Sequence, residues 1–112
     1  MANYTTSIIA GAAIADWFSI DLADVGTLDS VKIEIGKNGS TALDYRYPEA
    51  EGYPVLTKTD DSYSLSLTSA QTVNMRGLYE VEVTGTLNGQ DVFKENYSKS
   101  AGIYLEVKSE IK

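Results

Sequence analysis

The sequence predicts an all-β protein, a β-sandwich of roughly seven to nine strands with one short helical turn. Apolar and polar residues alternate in several short runs, most clearly from Tyr63 to Leu67 and from Tyr79 to Val83. Such alternation is typical of strands that bury one face. Turn residues separate these runs at regular intervals, and Asn88-Gly89 gives the strongest short hairpin signal among them.

Four strands are predicted in the first half of the chain. They cover Tyr4–Ile9, Trp17–Leu22, Leu28–Ile35 and Thr41–Tyr47. The third strand is the clearest, because Val31, Ile33 and Ile35 alternate with charged residues. The turn residues Asn38-Gly39 follow it directly, so we expect an antiparallel hairpin between the third and fourth strands.

One turn of helix is predicted in the middle of the chain, at Thr68–Met75, with a strand after it. Thr68 or Ser69 can cap this turn, and Gly77 ends it. Tyr79 lies near the start of the following strand. We expect Tyr79 to be buried with its hydroxyl bonded to nearby backbone, the arrangement called a tyrosine corner.

The alternation is weakest around Pro48 and Pro54. We expect a short edge strand at Tyr53–Thr57, because proline is tolerated at the start or edge of a strand. The C-terminal part of the chain predicts a strand, a break and a last strand, at Asp91–Tyr97, Ser98–Gly102 and Ile103–Val107.

Length and composition exclude several classes of protein. The 112 residues suffice for one domain, which we take as residues 1–112. A net charge of −7 with scattered basic residues argues against nucleic acid as a partner. The chain has no Cys and no His, which excludes disulfides, Ser-His and Cys-His nucleophile pairs and the usual zinc and iron ligand sets.

Membrane and secretory segments are not expected either. No apolar run approaches the roughly 18–20 residues that a membrane span needs. The run Ile8–Ile14 is apolar, but no basic residue precedes it. A signal peptide has basic residues before its apolar region. We therefore expect a non-enzymatic protein with no cofactor, no membrane segment and no signal peptide.

Three of the eight tyrosines, Tyr45, Tyr47 and Tyr53, lie close to the prolines. We expect them on an exposed loop, where aromatic rings can anchor a protein partner or stack on a sugar. The alternative is that these tyrosines cover a sheet face, as their strand propensity favours.

Carboxylates offer weaker hypotheses. Asp60-Asp61 with Glu49 and Glu51 could supply oxygen ligands to calcium, but their spacing matches no known calcium loop. Two carboxylates could perform glycosidic acid–base chemistry, but nothing in the sequence places such a pair in a pocket. We expect solvated carboxylates and no metal site.

The run LSLTSAQTVNMRGLYEVEVTGTLNGQDVF, followed by SAGIYLEV, resembles the immunoglobulin-like N-terminal domain of bacteriophage baseplate upper proteins and related tail-fibre adaptors. The residues that match are Leu67, Thr68, Thr72, Gly77, Tyr79, Val83, Gly102, Leu105 and Val107. The stretch before the second strand, which ends at Asp16, departs from the basic phrase common in that family.

The resemblance implies an immunoglobulin-like sandwich that serves as a structural module of a phage or prophage tail or baseplate. The implied partners are other tail or baseplate subunits and the chain itself, in a trimer or a hexamer. The implied location is the virion, or the bacterial cytoplasm before assembly.

Two surfaces are predicted as interfaces. One is the tyrosine-bearing loop, and the other is the last strand with Ile103, Leu105 and Val107, taken as an exposed sheet edge. A carbohydrate-binding or adhesin-like module that uses the loop tyrosines is the alternative function.

Overall fold

The computed structural model describes residues 4–109, and the ends of the predicted domain, residues 1–3 and 110–112, lie outside the described part. The described part contains nine strands and two short helices. The strands are β1 (Tyr4–Ile9), β2 (Ile14–Asp21), β3 (Ser30–Lys37), β4 (Ser40–Tyr47), β5 (Thr57–Thr59), β6 (Ser62–Leu67), β7 (Gly77–Leu87), β8 (Gln90–Asn96) and β9 (Ile103–Lys108). The helices are α1 (Ser69–Thr72) and α2 (Tyr97–Ala101), and a 3-10 turn covers Ala23–Val25.

The strands form two sheets that pack face to face. The larger sheet has the order β1-β9-β7-β3-β4, with β8 also paired to β7, and the smaller sheet has the order β2-β6-β5. In the notation of an immunoglobulin domain, β2, β6 and β5 occupy the places of strands B, E and D, whereas β3, β7 and β9 occupy those of C, F and G. The predicted all-β sandwich with a short helical turn is therefore confirmed, and the nine described strands fall within the predicted range.

The core lies between the sheets and follows the alternation in the sequence. Val31, Ile33 and Ile35 of β3 are at most 1% exposed, and Phe18 and Leu65 of the smaller sheet face them at 4% and 2%. Each fully buried aliphatic or aromatic side chain contributes about 1.5–3 kcal/mol relative to an exposed one. This layer of side chains fixes the two sheets against each other.

Two hairpins form at the predicted Asn-Gly pairs. Asn38 and Gly39 join β3 to β4 with φ angles of 52° and 77°, and Asn88 and Gly89 join β7 to β8 with 54° and 78°. Two consecutive residues with positive φ are characteristic of the hairpin turn that suits the strand twist, and asparagine followed by glycine adopts it at low cost.

The corner between β6 and β7 is also confirmed. Thr68 caps α1 by accepting the Gln71 N–H, while the Gln71 side chain accepts the Thr68 N–H, so the two residues form a capping box. The Tyr79 side chain is 5% exposed, and its hydroxyl accepts the Arg76 N–H at 2.8 Å. This is the predicted tyrosine corner, and it fixes the direction in which β7 enters the larger sheet.

The prediction of one helical turn was incomplete, because residues 97–101 form a second short helix, α2. The Asn96 side chain accepts the Lys99 N–H at its start, and Gly102 ends it with φ 72°. β8 pairs with Glu82–Leu87 and β9 with Gly77–Glu80, so α2 interrupts what would otherwise be one long strand beside β7. The strand predicted at Asp91–Tyr97 therefore ends at Asn96, because caps at both ends stabilise the five-residue helix that follows it.

The predicted edge strand at Tyr53–Thr57 was wrong in its bounds. Val55 makes an isolated parallel bridge with Arg46 on β4, and the chain then crosses to the smaller sheet as β5, Thr57–Thr59. Proline at position 54 removes a backbone donor, which limits pairing before Val55.

Candidate functional site

Tyr45 does not lie on an exposed loop, and this part of the predicted interface was wrong. It lies on β4 opposite Ile33 and is 2% exposed, with its side chain between the two sheets. The hydroxyl is 2.8 Å from the Ser66 carbonyl oxygen and 2.9 Å from Gln71 Oε1, so its proton is donated to one of two acceptors. Burial raises the pKa of Tyr45 to about 12, and the hydroxyl therefore stays protonated at neutral pH.

Tyr47 lies two residues further along β4 and faces the same way. Its register partner is Val31, and its half-buried ring meets the Tyr63 ring edge-on with 5.8 Å between centroids. The alternative that tyrosines cover a sheet face therefore describes Tyr45 and Tyr47. Of the three predicted interface tyrosines, these two stabilise the core side of β4 and contribute little exposed surface.

Tyr53 is the exposed member of the three, with 41% of its side chain accessible. The Arg46 guanidinium lies over its ring at 3.8 Å from the centroid. That guanidinium also donates two hydrogen bonds to the Asp44 carboxylate, with Nε–Oδ1 and Nη2–Oδ2 distances of 3.1 and 3.0 Å. Val55, which bridges to Arg46, is 51% exposed. We call Arg46, Tyr53 and Val55 the Tyr53 patch.

The ring and the guanidinium of the Tyr53 patch are held in place by contacts within the domain. A two-point bond to a carboxylate fixes the plane of an arginine side chain, and stacking on Tyr53 removes further freedom from both groups. Hydrogen bonding to Asp44 also raises the pKa of Arg46 above its already high value, so the patch keeps its positive charge. A surface with fixed side chains loses less entropy when it binds.

The last strand is not a sheet edge, so the second predicted interface was wrong as stated. β9 lies between β1 and β7, paired in parallel with the first and antiparallel with the second. Leu105 and Val107 are 0% and 2% exposed, and Ile103 is half-buried against the core. The backbone groups of β9 are used within the domain, and its apolar side chains form part of the core.

Charged residues on the outer face of the larger sheet lie in rows across the strands. Asp44, Glu34 and Glu82 are register partners on β4, β3 and β7, and like charges in such positions repel. A basic side chain neighbours each one. The ion pairs are Asp44–Arg46, Glu34–Lys32 and Glu82–Lys94, with N–O distances of 3.0, 3.5 and 3.8 Å. These partly exposed pairs offset the repulsion and contribute about 0–1 kcal/mol each.

A depression of about 180 Å³ adjoins this row. Glu34, Glu80 and Glu82 line it, and the Asn96 amide donates a hydrogen bond to the Glu80 carboxylate at 2.8 Å. Within residues 4–109, no group of three His, Cys, Asp or Glu side chains is arranged to hold a metal ion. None of the helices in this range is long and apolar enough to cross a membrane.

Comparison of the chain with protein-family models, with curated proteins and with solved structures gave no match.

Sequence reasoning missed Arg46 and Val55 as members of the exposed surface. A signal for Arg46 was present, because Asp44 and Arg46 alternate with Leu43, Tyr45 and Tyr47 on a predicted strand. Charged residues at every second position mark the outer face of a strand and leave the tyrosines on the inner face. Val55 carried no comparable signal, since its exposure depends on how the chain crosses between the sheets.

Proposed function

We propose that this protein is a structural module of a phage or prophage tail or baseplate that acts through protein–protein contacts. The observation that carries the proposal is the Tyr53 patch, an aromatic ring, a guanidinium and an aliphatic side chain exposed together on a fixed surface. Tyrosine and arginine are enriched among the residues that contribute most to protein interfaces.

The family resemblance supports the same function. Three of its residues build the fold: Thr68 caps α1, Tyr79 makes the tyrosine corner, and Thr72 is buried with its hydroxyl bonded to the backbone of Gly11 and Ala12. The matching segment is therefore one that specifies a sandwich with this corner. In this proposal the sandwich is a rigid body that presents contact surfaces to neighbouring subunits, without catalysis.

The assignment to a virion is tested on particles released after prophage induction of the bacterium that carries the gene. We expect gold-labelled antibody against the purified chain to mark the tail or baseplate in electron micrographs, with non-immune antibody as the control. Purified particles that lack the chain, in micrographs and in immunoblots, would contradict the assignment.

Assembly is tested by light scattering after size-exclusion chromatography over a concentration series. We expect a discrete trimer or hexamer for the wild type. Tyr53→Ala and Val55→Ala should raise the dissociation constant about tenfold or more, because truncation of an interface anchor commonly costs more than 1 kcal/mol.

Val92→Ala is the matched control for this measurement. Val92 is 50% exposed on β8, against 51% for Val55, and lies outside the Tyr53 patch. An equal loss of assembly in all three variants would contradict a role for the patch. A monomer whose Trp17 fluorescence is quenched by soluble oligosaccharide would instead favour the carbohydrate-binding alternative.

A further inference from the structure

A second depression, of about 250 Å³, lies on the outer face of the larger sheet. Arg46 on β4, Lys32 on β3 and Thr84 on β7 line it and are partners in the register of the sheet. Because neighbouring strands lie about 4.8 Å apart, this row spans about 10 Å. Ser30 of β3 and Asp91 of β8 also line the space, which we call the Thr84 depression.

Thr84 is 3% exposed although it lies on the outer face of the sheet. Its register partners are Lys32 on one side and Lys94 on the other, and the long stems of lysines cover the surface beside them. Within residues 4–109, the Thr84 hydroxyl has no hydrogen-bond partner, whereas every fully buried side-chain oxygen or nitrogen has one. The Thr84 oxygen therefore keeps a small accessible surface, which opens into the depression. A buried polar side chain without a protein partner points to a ligand or to ordered water.

Two cationic side chains of the depression have donors to spare. Arg46 binds Asp44 through Nε and Nη2, and the described chain provides no hydrogen-bond acceptor for its Nη1 group. The Lys32 ammonium lies 3.5 Å from the Glu34 carboxylate and carries further N–H groups. Both side chains can therefore donate hydrogen bonds to a ligand while they keep their ion pairs.

The acceptor of the depression is the Asp91 carboxylate. Among the described residues it bonds only to the Thr86 hydroxyl, at a long distance of 3.4 Å. Ser30 and Thr84 add hydroxyls, and a hydroxyl both donates and accepts hydrogen bonds. The depression therefore combines charged donors, a charged acceptor and hydroxyls that serve as either.

These charges select a neutral, polar ligand. An anion would lie beside Asp91 on a chain of net charge −7, and a cation would lie beside Lys32 and Arg46. An apolar molecule would remove water from these groups without replacing its hydrogen bonds, which is costly. A molecule with several hydroxyls can bond to every one of them, because each hydroxyl both donates and accepts.

We propose that the Thr84 depression binds one residue of a neutral sugar. The sugar hydroxyls accept from Lys32 and Arg46, donate to Asp91 and bond to Thr84. The volume is below the range of about 300–1,000 Å³ typical of sites for drug-sized ligands, so the site suits a single ring. This inference goes beyond the proposed assembly function and does not depend on it. It also differs from the carbohydrate-binding alternative, since the site lies on a sheet face and not on a tyrosine-bearing loop.

Nuclear magnetic resonance of the 15N-labelled chain tests the site. The probes are glucose, galactose, mannose and N-acetylglucosamine, each titrated into the wild type. We expect saturable shifts of the Lys32 and Thr84 amides with at least one of these sugars. No saturable shift with any of them, or shifts centred on another surface, would overturn the proposal. Glucuronate is the charged probe, and tighter binding of glucuronate than of glucose would contradict the selection of a neutral ligand.

Thr84→Val removes the free hydroxyl and keeps the branched shape of the side chain. We expect sugar binding to weaken about tenfold, since the loss of one hydrogen bond commonly costs about that much affinity. The melting temperature should not fall, because the hydroxyl has no partner in the described chain. Thr59→Val, at an exposed position on β5, is the control and should bind as the wild type does. Unchanged binding in Thr84→Val, or a lower melting temperature, would contradict the role of this hydroxyl.

Lys32→Met removes the ammonium and keeps most of the apolar stem. We expect binding to weaken about tenfold or more, because hydrogen bonds from charged groups are the stronger ones. Lys99→Met, at an exposed position on α2, is the matched control. Equal affinities in these two variants would exclude Lys32 from the site.

The outcomes separate this inference from the proposed function. Lys32 and Thr84 lie outside the Tyr53 patch, so both variants should keep the wild-type mass in light scattering. An assembling chain that binds no sugar would overturn this inference alone. Trp17 lies on β2 of the smaller sheet, so sugar in the Thr84 depression should leave its fluorescence unchanged. Quenching of Trp17 would place the sugar elsewhere and overturn the site.

Discussion

Leu105→Ala is expected to lower the free energy of unfolding by about 2–5 kcal/mol, the usual range for a buried leucine cut back to alanine. Leu105 is 0% exposed and lies between Thr6 of β1 and Tyr79 of β7 in the register of the sheet. Removing its branched end therefore leaves a cavity where three strands meet the core. Urea unfolding followed by the fluorescence of Trp17 measures the effect.

Leu78→Ala is the matched control, because Leu78 is 50% exposed on the outer face of the adjacent strand. We expect its free energy of unfolding to change by less than about 0.5 kcal/mol. Equal losses in the two variants would contradict the assignment of Leu105 to the core. A change in oligomeric mass without a loss of stability in Leu105→Ala would restore the original prediction that this residue lies at an interface.

Ser98→Ala is expected to lower the free energy of unfolding by about 2 kcal/mol or more, a large effect for the loss of one hydroxyl. Ser98 is 2% exposed at the point where α2 interrupts the strand beside β7. Its hydroxyl accepts the Val81 N–H at 2.9 Å and donates to the Ile103 carbonyl. It thus replaces the ladder bond that a continuous strand would supply, and each buried backbone group left unpaired costs about 1–3 kcal/mol.

Ser100→Ala separates this effect from any general weakening of α2. Ser100 is exposed and bonds to the Glu95 carboxylate at 2.8 Å, so we expect little loss of stability. Hydrogen exchange gives a local readout, since the Val81 amide should lose protection in Ser98→Ala and keep it in Ser100→Ala. Unchanged protection of Val81 in Ser98→Ala would show that another group satisfies this amide.

Most of the fold could be predicted because its signals are local. Asn38-Gly39 and Asn88-Gly89 specify hairpins through backbone conformation, and Thr68 specifies the start of α1 through a hydrogen bond three residues away. Alternation along β3 and β7 showed which side chains are buried. In each case, the residues that carry the signal also make the contact.

The last strand was wrongly predicted to be a sheet edge, because the position of a strand in a sheet depends on contacts between distant parts of the chain. The sequence of Ile103–Val107 predicts an apolar strand, but it does not distinguish the edge of a sheet from its centre. Its neighbour β1 is 99 residues away in register, with Tyr4 paired to Ile103. The prediction that Tyr45 lies on an exposed loop was wrong for a different reason. The alternation of β4 already placed Tyr45 on the inner face, but its nearness to the prolines suggested a loop.

The parallel pairing of β1 with β9 has a mechanical consequence. Tension applied to the chain ahead of Tyr4 and beyond Lys108 pulls the two strands in opposite directions along their length, because they run the same way and are loaded at opposite ends. Such a load shears all six paired positions together, whereas a hairpin pulled at its open end separates one pair at a time. The pairing of β1 with β9 therefore resists tension applied along the two strands.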